Sequence, residues 1–302
     1  MLSLAAALVL AAAPLQDTAH VVLVATTDLQ GHVTEWDYLA DRPFPGGVAR
    51  VAAVVDSLRA RYPGQVVLVD AGGVLQGDPF ATYYARVAPT RPHPIIEALN
   101  LVGYDAATPG NHDFDWGLPF FQQAVAEARF PYVSANLYAG QGDSLLFPAW
   151  RVVQRQGVRV AITGFTTPGT MVWDREQMGR ARFRPILSAA APVLEAMRRD
   201  ADLTVALVHS GMNGRASYDT SGIGEENVAA GLAELPARPD LVVVGHSHRE
   251  MRDSIVAGVH FVQPRPFGAS VSVVHLDFVR ADGAWRLRRV QAELVPTRDV
   301  PA

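Results

Sequence analysis

The most constraining feature of this chain is a series of short apolar runs that alternate with segments carrying apolar residues at helical spacing. Strands buried on both faces and covered by amphipathic helices are typical of an α/β domain. The predicted strands are His20–Thr26, Gln65–Val69, Val158–Thr163, Leu203–Val208 and Leu241–Val244. The predicted helices are Val48–Arg61, Ile95–Val102, Pro119–Ala128, Ser188–Arg199 and Glu226–Leu235. A β-rich end is predicted at Phe261–Gln263, Ser270–Val279 and Trp285–Leu294, with a hairpin turn at Asp282-Gly283.

Composition narrows the class of protein and the kind of chemistry. With 302 residues and 49% hydrophobic content, the chain can bury a sizeable core. A formal net charge of -4 without runs of like charge argues against a nucleic acid duplex or an anionic membrane as the partner. There are no cysteines, so His, Asp, Glu, Asn and Gln are the side chains left to bind a metal.

The amino terminus has the pattern of a secretory leader. A continuous apolar run from Met1 to Ala13 is followed by small residues and then polar ones. We therefore expect a signal peptide over residues 1–18 with cleavage near Ala13, and an exported domain over residues 19–302 in the periplasm or outside the cell. The run is too short to span a membrane. No Lys or Arg precedes it, so a buried N-terminal helix is the alternative.

Polar residues follow the ends of five apolar strands. Ligands gather beyond the carboxyl ends of strands in α/β sheets, so we expect these residues to lie together along one sheet. A lone histidine is more often a hydrogen-bonded core residue than a ligand. No packing requirement places imidazoles and carboxylates at five strand ends, so their repetition instead favours a functional site that could bind metal. The residues are Asp28, then Asp70 and Gly73, then Asn111 and His112, then His209, and finally His246 and His248.

Two of these ends carry specific motifs, Gly110-Asn111-His112-Asp113 and Gly245-His246-Ser247-His248. Shorter motifs after other strands are Leu75-Gln76-Gly77, Phe114-Asp115 and Ser210-Gly211. From Val21 to Leu294 the chain resembles the calcineurin-like metallophosphoesterases, in particular the N-terminal catalytic domain of the 5'-nucleotidase and cyclic-nucleotide phosphodiesterase family. That resemblance implies an α/β fold, a four-layer α/β/β/α sandwich with two mixed β-sheets.

The resemblance also implies roles for individual residues. Asp28, Gln30 and His248 would bind a first divalent metal ion, and Asn111, His209 and His246 a second. His112 would face the substrate, stabilising the phosphoryl group or protonating the leaving oxygen, and Asp115 would orient its ring. Asn111 and His112 would also contact the substrate. Outside the resemblance, Arg265 in Gln263-Pro264-Arg265-Pro266 could contact a substrate phosphate bidentately, or be a solvated loop arginine. The family pattern holds two ions such as zinc, manganese or iron, and hydrolyses the ester by attack of metal-bound hydroxide.

Two positions depart from the family pattern. Gln30 stands where the family has histidine, and Gly73 stands where it has the aspartate that bridges the two metal ions. Without that shared charge, two dications repel each other more strongly, so we expect one bound ion or none. Asp70, Asp78 and His32 are neighbours that could compensate, although Asp70 fits better as the residue that forms the turn after its strand.

Three functions therefore remain open. The first is a phosphoesterase acting on a small phosphate ester such as a nucleotide; the second is a binding protein on an enzyme fold; the third is hydrolysis of sulfur-containing esters, as in a related branch of the fold. The C-terminal nucleotide-binding domain of the full-length family is expected to be absent from this chain. Base specificity would then come from loops such as Gly211–Gly224, while Trp36, Tyr38 and Trp173 could line a pocket or pack structurally. The sequence does not define an oligomeric state.

Overall fold

A computed structural model describes residues 17–140 and 142–300 of the chain. The predicted leader, apart from its last two residues, lies outside the described residues, and Thr18 already belongs to the first strand. In the described part of the chain, no helix combines the length and the apolar character needed to cross a membrane.

Two larger sheets and two short two-stranded sheets make up the β-structure of the described residues. The strands are β1 (Thr18–Thr26), β2 (Trp36–Asp37), β3 (Arg42–Pro43), β4 (Val66–Asp70), β5 (Ala106–Ala107), β6 (Leu137–Tyr138), β7 (Trp150–Arg155), β8 (Val158–Thr166), β9 (Arg182–Phe183), β10 (Leu203–His209), β11 (Leu241–Val244), β12 (Met251–Val256), β13 (Val259–Gln263), β14 (Ser270–Ala281) and β15 (Ala284–Pro296). The first sheet has the order β15-β14-β1-β4-β5 and the second β12-β13-β11-β10-β8-β7.

Both sheets are mixed. In the first, β1, β4 and β5 run parallel while β14 and β15 are antiparallel to their neighbours. In the second, β8, β10, β11 and β13 run parallel, flanked by antiparallel β7 and β12. The strand ends predicted to lie along one sheet are therefore divided: those after β1, β4 and β5 belong to one sheet, and those after β10 and β11 to the other. Apolar runs reveal burial but not which strands pair, so the one-sheet expectation was wrong.

The helices cover the outer faces of the sheets. They are α1 (Val48–Arg61), α2 (Pro79–Arg86), α3 (Pro94–Val102), α4 (Leu118–Val125), α5 (Thr170–Trp173) and α6 (Ile186–Asp200). Side chains of β1 alternate between two cores: Leu23 packs between the sheets, whereas Val24 packs beneath α1 and α3. On β10, Leu207 packs between the sheets and Val208 packs beneath α6. This alternation places four layers in the order α/β/β/α, as predicted.

One predicted helix was wrong. Residues 226–235 form only a short 3₁₀ helix at Ala229–Glu234. The amides of Ala229 and Ala230 donate to the backbone oxygens of Gly211 and Met212, at 3.1 and 2.9 Å, instead of to a preceding helical turn. This segment is therefore attached to the loop after β10, and that attachment positions a residue of the functional site.

Candidate metal centre

The carboxyl ends of the two sheets meet at Asp28, which is 1% exposed. Its Oδ2 accepts hydrogen bonds from the Thr27 hydroxyl at 2.8 Å and from the His246 amide at 3.1 Å. Its Oδ1 is buried without a hydrogen-bond partner and lies 3.7 Å from His209 Nε2 and 3.5 Å from His248 Nε2. A buried carboxylate oxygen without a donor is costly unless a cation compensates it.

Asn111 Oδ1 faces two histidine nitrogens at 3.1 Å, His209 Nε2 and His246 Nδ1. The other nitrogen of each ring has an acceptor: His209 Nδ1–H donates to the Ala71 carbonyl at 2.8 Å, and His246 Nε2–H donates to Glu226 Oε1 at 2.8 Å. In the neutral form that a metal ligand requires, each ring carries one N–H, so the nitrogens facing Asn111 are then lone-pair atoms. Three acceptor atoms thus converge without a proton between them.

Three of the six separations among these four atoms are compatible with a single bound cation. Ligands about 2.1 Å from one tetrahedral ion lie about 3.4 Å from each other, and the separations of 3.1, 3.1 and 3.7 Å bracket that value. Burial lowers the pKa of His209 to about 4, so its ring is neutral near pH 7, as a ligand must be. Asp28, Asn111, His209 and His246 could therefore hold one divalent ion.

The set predicted for a first metal ion is arranged differently. The Gln30 side-chain amide lies against His248, with Nε2 to Nε2 at 3.0 Å, so the amide N–H donates to the ring lone pair that a metal would use. Gln30 is 8% exposed, which leaves its side chain little freedom to turn away. Gln30 and His248 therefore satisfy each other directly.

Gly73 occupies the position where a carboxylate would connect the two sets. A Cβ at this residue would lie 3.0 Å from His209 Cε1 and 3.2 Å from Asp28 Oδ1. The backbone there has φ +81°, a conformation that favours glycine. Across residues 17–140 and 142–300, no group made of three or more His, Cys, Asp or Glu side chains alone could hold a metal ion. The set around Asp28 therefore depends on the amide oxygen of Asn111, which lies between His209 and His246.

The three residues suggested as replacements all have other partners. His32 Nδ1 faces the backbone oxygens of Leu29 and Gln30, and its Nε2 lies 3.7 Å from Asp78. Asp78 caps α2 by accepting from the Phe80 amide. Asp70 accepts from Thr26 and, as the turn-forming interpretation expected, from the amide of Gly72 at 2.8 Å.

His112 and Asp115 form a pair at the edge of this centre. His112 Nδ1 lies 3.2 Å from Asp115 Oδ2, and the His112 side chain is 39% exposed. The hydrogen bond to Asp115 raises the pKa of His112 above its usual value, even though burial opposes this. The ring can therefore donate a proton or a charged hydrogen bond from its outer nitrogen.

Arg265 lies apart from these residues. Its Nε donates to Glu250 at 2.7 Å, which provides an ionic partner on the protein itself. Its contact with a substrate phosphate remains a prediction.

Three functional neighbours were not found from the sequence. Glu226 fixes the tautomer of His246, and Asp113 accepts backbone N–H groups from Gly73, Val74, Leu75 and Gly110. Asp174 carries a buried oxygen without a hydrogen-bond partner. Burial, together with the charge of Asp115, raises the pKa of Asp174 to about 6. Asp113 stands inside a recognised motif, but neither Glu226 nor Asp174 belongs to any pattern that the sequence displays.

Strained backbone is concentrated at the same place. Nine non-glycine residues in the described chain have positive φ, and four of them belong to this centre. They are Asp28, Gln30, His246 and His248, with φ values of 50°, 44°, 69° and 53°. Such conformations persist where surrounding contacts enforce them, as they often do at functional sites.

The chain belongs to the calcineurin-like phosphoesterase family, whose sequence profile matches residues 21–250. It is 29% identical to the trifunctional nucleotide phosphoesterase protein YfkN of Bacillus subtilis over 298 residues, which is 89% of this chain and 20% of that protein. It is 31% identical to the 2',3'-cyclic-nucleotide 2'-phosphodiesterase/3'-nucleotidase of Haemophilus influenzae over 305 residues, 92% of this chain and 46% of that protein. The chain thus spans between a fifth and a half of these relatives.

Solved structures agree with this assignment. The crystal structure of the Bacillus subtilis calcineurin-like phosphoesterase YfkN superposes with a TM-score of 0.84 at 27% identity, covering 94% of this chain and 93% of that one. A 5'-nucleotidase precursor from Thermus thermophilus superposes with a TM-score of 0.71 at 25% identity, covering 92% and 54%. The predicted family resemblance and fold class are confirmed, and the family is one of phosphoric ester hydrolases.

Proposed function

We propose that this protein is a metal-dependent phosphoesterase that hydrolyses nucleotides or closely related phosphate esters. The observation that carries the proposal is the convergence of lone-pair atoms from Asn111, His209 and His246 beside the unpartnered oxygen of Asp28. The named activities of the relatives, all on nucleotide esters, support the substrate class.

The residues of the centre would have three roles in the reaction. Asp28, Asn111, His209 and His246 would hold one divalent ion, which when bound polarises phosphoryl oxygens and lowers the pKa of a coordinated water. His112, whose pKa is raised by its hydrogen bond to Asp115, would stabilise charge on the phosphoryl group or donate its proton to the leaving oxygen. Glu226 would hold His246 in the required tautomer.

A second function is favoured by a specific observation. The hydrogen bond between Gln30 and His248, together with Gly73, removes the first metal position of the family pattern. A chain with this arrangement could bind a phosphate ester or a partner without turning it over. We rank this binding protein second, because the His112–Asp115 pair is intact.

Export is part of the proposal. The apolar segment Met1–Ala13, with the pattern of a signal peptide, supports it. Cleavage near Ala13 can be checked by amino-terminal sequencing of the secreted protein.

The test is hydrolysis of a panel of phosphomonoesters and phosphodiesters, with metal content measured on the same sample. Turnover by the unmodified protein carrying about one ion, lost in His112→Ala with metal content unchanged, is the expected result. If the unmodified protein binds nucleotide without turnover while Gly73→Asp gains a second ion and activity, the binding-protein function is correct. Turnover that survives His112→Ala unchanged would remove the assigned role of His112.

A further inference from the structure

An exposed indole lies against one of the histidines of the candidate centre. Trp173, the last residue of α5, is 38% exposed, and its ring centroid lies 5.6 Å from that of His246, with the planes inclined by 33°. The other two aromatic residues considered from the sequence, Trp36 and Tyr38, lie on or beside the β2–β3 hairpin. Tyr38 packs towards Phe80, and no contact between it and a histidine of the centre is among the aromatic pairs of the described residues.

One side of the Trp173 indole packs against Tyr218 and Gly169. Tyr218 packs edge-on against it with centroids 5.6 Å apart, and the Tyr218 hydroxyl donates to the Gly224 carbonyl at 2.9 Å. Both rings occupy space left by Gly169, because a Cβ there would lie 2.5 Å from the Trp173 ring and 2.6 Å from the Tyr218 ring. One part of the indole is therefore fixed by packing while the remainder faces solvent. A rigid ring of this kind can bind a planar ligand at low entropic cost.

Asp174, the residue after Trp173, interacts electrostatically with the His112–Asp115 pair. Asp174 is 7% exposed, and its ionisation is coupled electrostatically to Asp115 and His112. Trp173 thus contacts His246, which would bind the ion, and is followed in the chain by a residue whose charge is felt by the His112–Asp115 pair.

We propose that Trp173 is the platform on which the base of a nucleotide substrate stacks, with Tyr218 holding the indole in place. This inference rests on the proposed function and specifies its substrate: an ester whose leaving group carries a planar aromatic ring. Stacking of a base on an aromatic side chain changes affinity by roughly 5- to 150-fold. An ester without a base would not use the indole.

The kinetic test compares adenosine 5'-monophosphate with ribose 5-phosphate, which differ only in the base. We expect Trp173→Ala to lower kcat/KM for the nucleotide by about 10- to 100-fold and to leave that for ribose 5-phosphate within about twofold. Trp173→Phe should keep most of the preference. Trp36→Ala is the matched control, because Trp36 is 37% exposed and has no contact with a centre histidine among the described aromatic pairs. Equal losses on both esters would overturn the proposal, since they would mean that Trp173 only supports His246.

A binding readout separates this inference from the proposed activity. The chain has five tryptophans, so the Trp173 indole N–H resonance can be assigned as the one missing in the ¹⁵N spectrum of Trp173→Phe. Adenosine 5'-monophosphate should shift that resonance, whereas ribose 5-phosphate should not. If no ester is hydrolysed but the shift occurs, the proposed activity fails and the platform stands. If neither compound, or both equally, moves the resonance, the platform is wrong.

Discussion

Replacing Gly73 with aspartate should make the stability of this protein depend strongly on metal. The new Cβ would lie 3.2 Å from Asp28 Oδ1, so the two carboxylates would face each other at about 4 Å. At an effective dielectric constant of about 20, their repulsion is about 4 kcal/mol. A further cost of roughly 1–2 kcal/mol arises because residue 73 has positive φ.

The backbone cost can be measured separately with Gly73→Ala, which has the same φ and the same Cβ contact with His209 but no charge. In chelator at pH 8, Gly73→Asp should be less stable to urea unfolding than Gly73→Ala by about 2–4 kcal/mol, after some relaxation of the carboxylates. Adding a divalent cation should remove most of that difference, because the ion neutralises the repulsion and binds only the folded state.

Two results would refute this reasoning. If Gly73→Asp and Gly73→Ala are equally stable in chelator, the side chain at position 73 does not face Asp28. If metal stabilises the two variants equally, no ion binds between residue 73 and the Asp28 set.

Three further predictions concern single side chains. Asp113→Asn should lower the free energy of unfolding in urea by about 3 kcal/mol, because a single amide oxygen cannot accept the four backbone hydrogen bonds that the Asp113 carboxylate accepts. A loss below about 1 kcal/mol would contradict this reasoning. If His112 acts as an acid, activity falls as pH rises through its raised pKa. Asp115→Asn removes the group that raises this pKa, so the fall in activity should move to lower pH. A pH–activity profile that does not move would mean that Asp115 does not act on His112. Burial lowers the pKa of His93 to about 4, so the stability of the protein should decline as pH falls from about 6.5 towards 4. In urea unfolding at pH 7 and pH 5, His93→Phe should lose part of that decline. An unchanged decline would mean that other groups cause it.

The sequence predicted those parts of the fold in which local pattern and burial agree. Helix α1 runs from Val48 to Arg61 as expected, because its apolar stripe and its tertiary packing coincide. The division of the strand ends between two sheets was missed, since strand pairing depends on contacts far apart in the chain. Residues 226–235 likewise look amphipathic, but their amides are used by the loop after β10.

The candidate centre was predictable where a motif includes the residue. Asn111, His112, His209 and His246 were brought together as the motifs indicated. Glu226 and Asp174 were not, because their roles depend on tertiary contacts and not on spacing along the chain. The direct bond between Gln30 and His248 also required coordinates, since the substitution alone does not show which atom of the amide faces the ring.

The division of the centre between two sheets has a mechanical consequence. Asp28 follows a strand of the first sheet, whereas His209 ends a strand of the second, and its ring already reaches across to the Ala71 carbonyl. An ion held by Asp28 and His209 would cross-link the layers at one end of their shared apolar interface. Ligand binding should therefore slow amide hydrogen exchange in β1 and β10 together, so that the stability of the interface between the sheets reports the state of the centre.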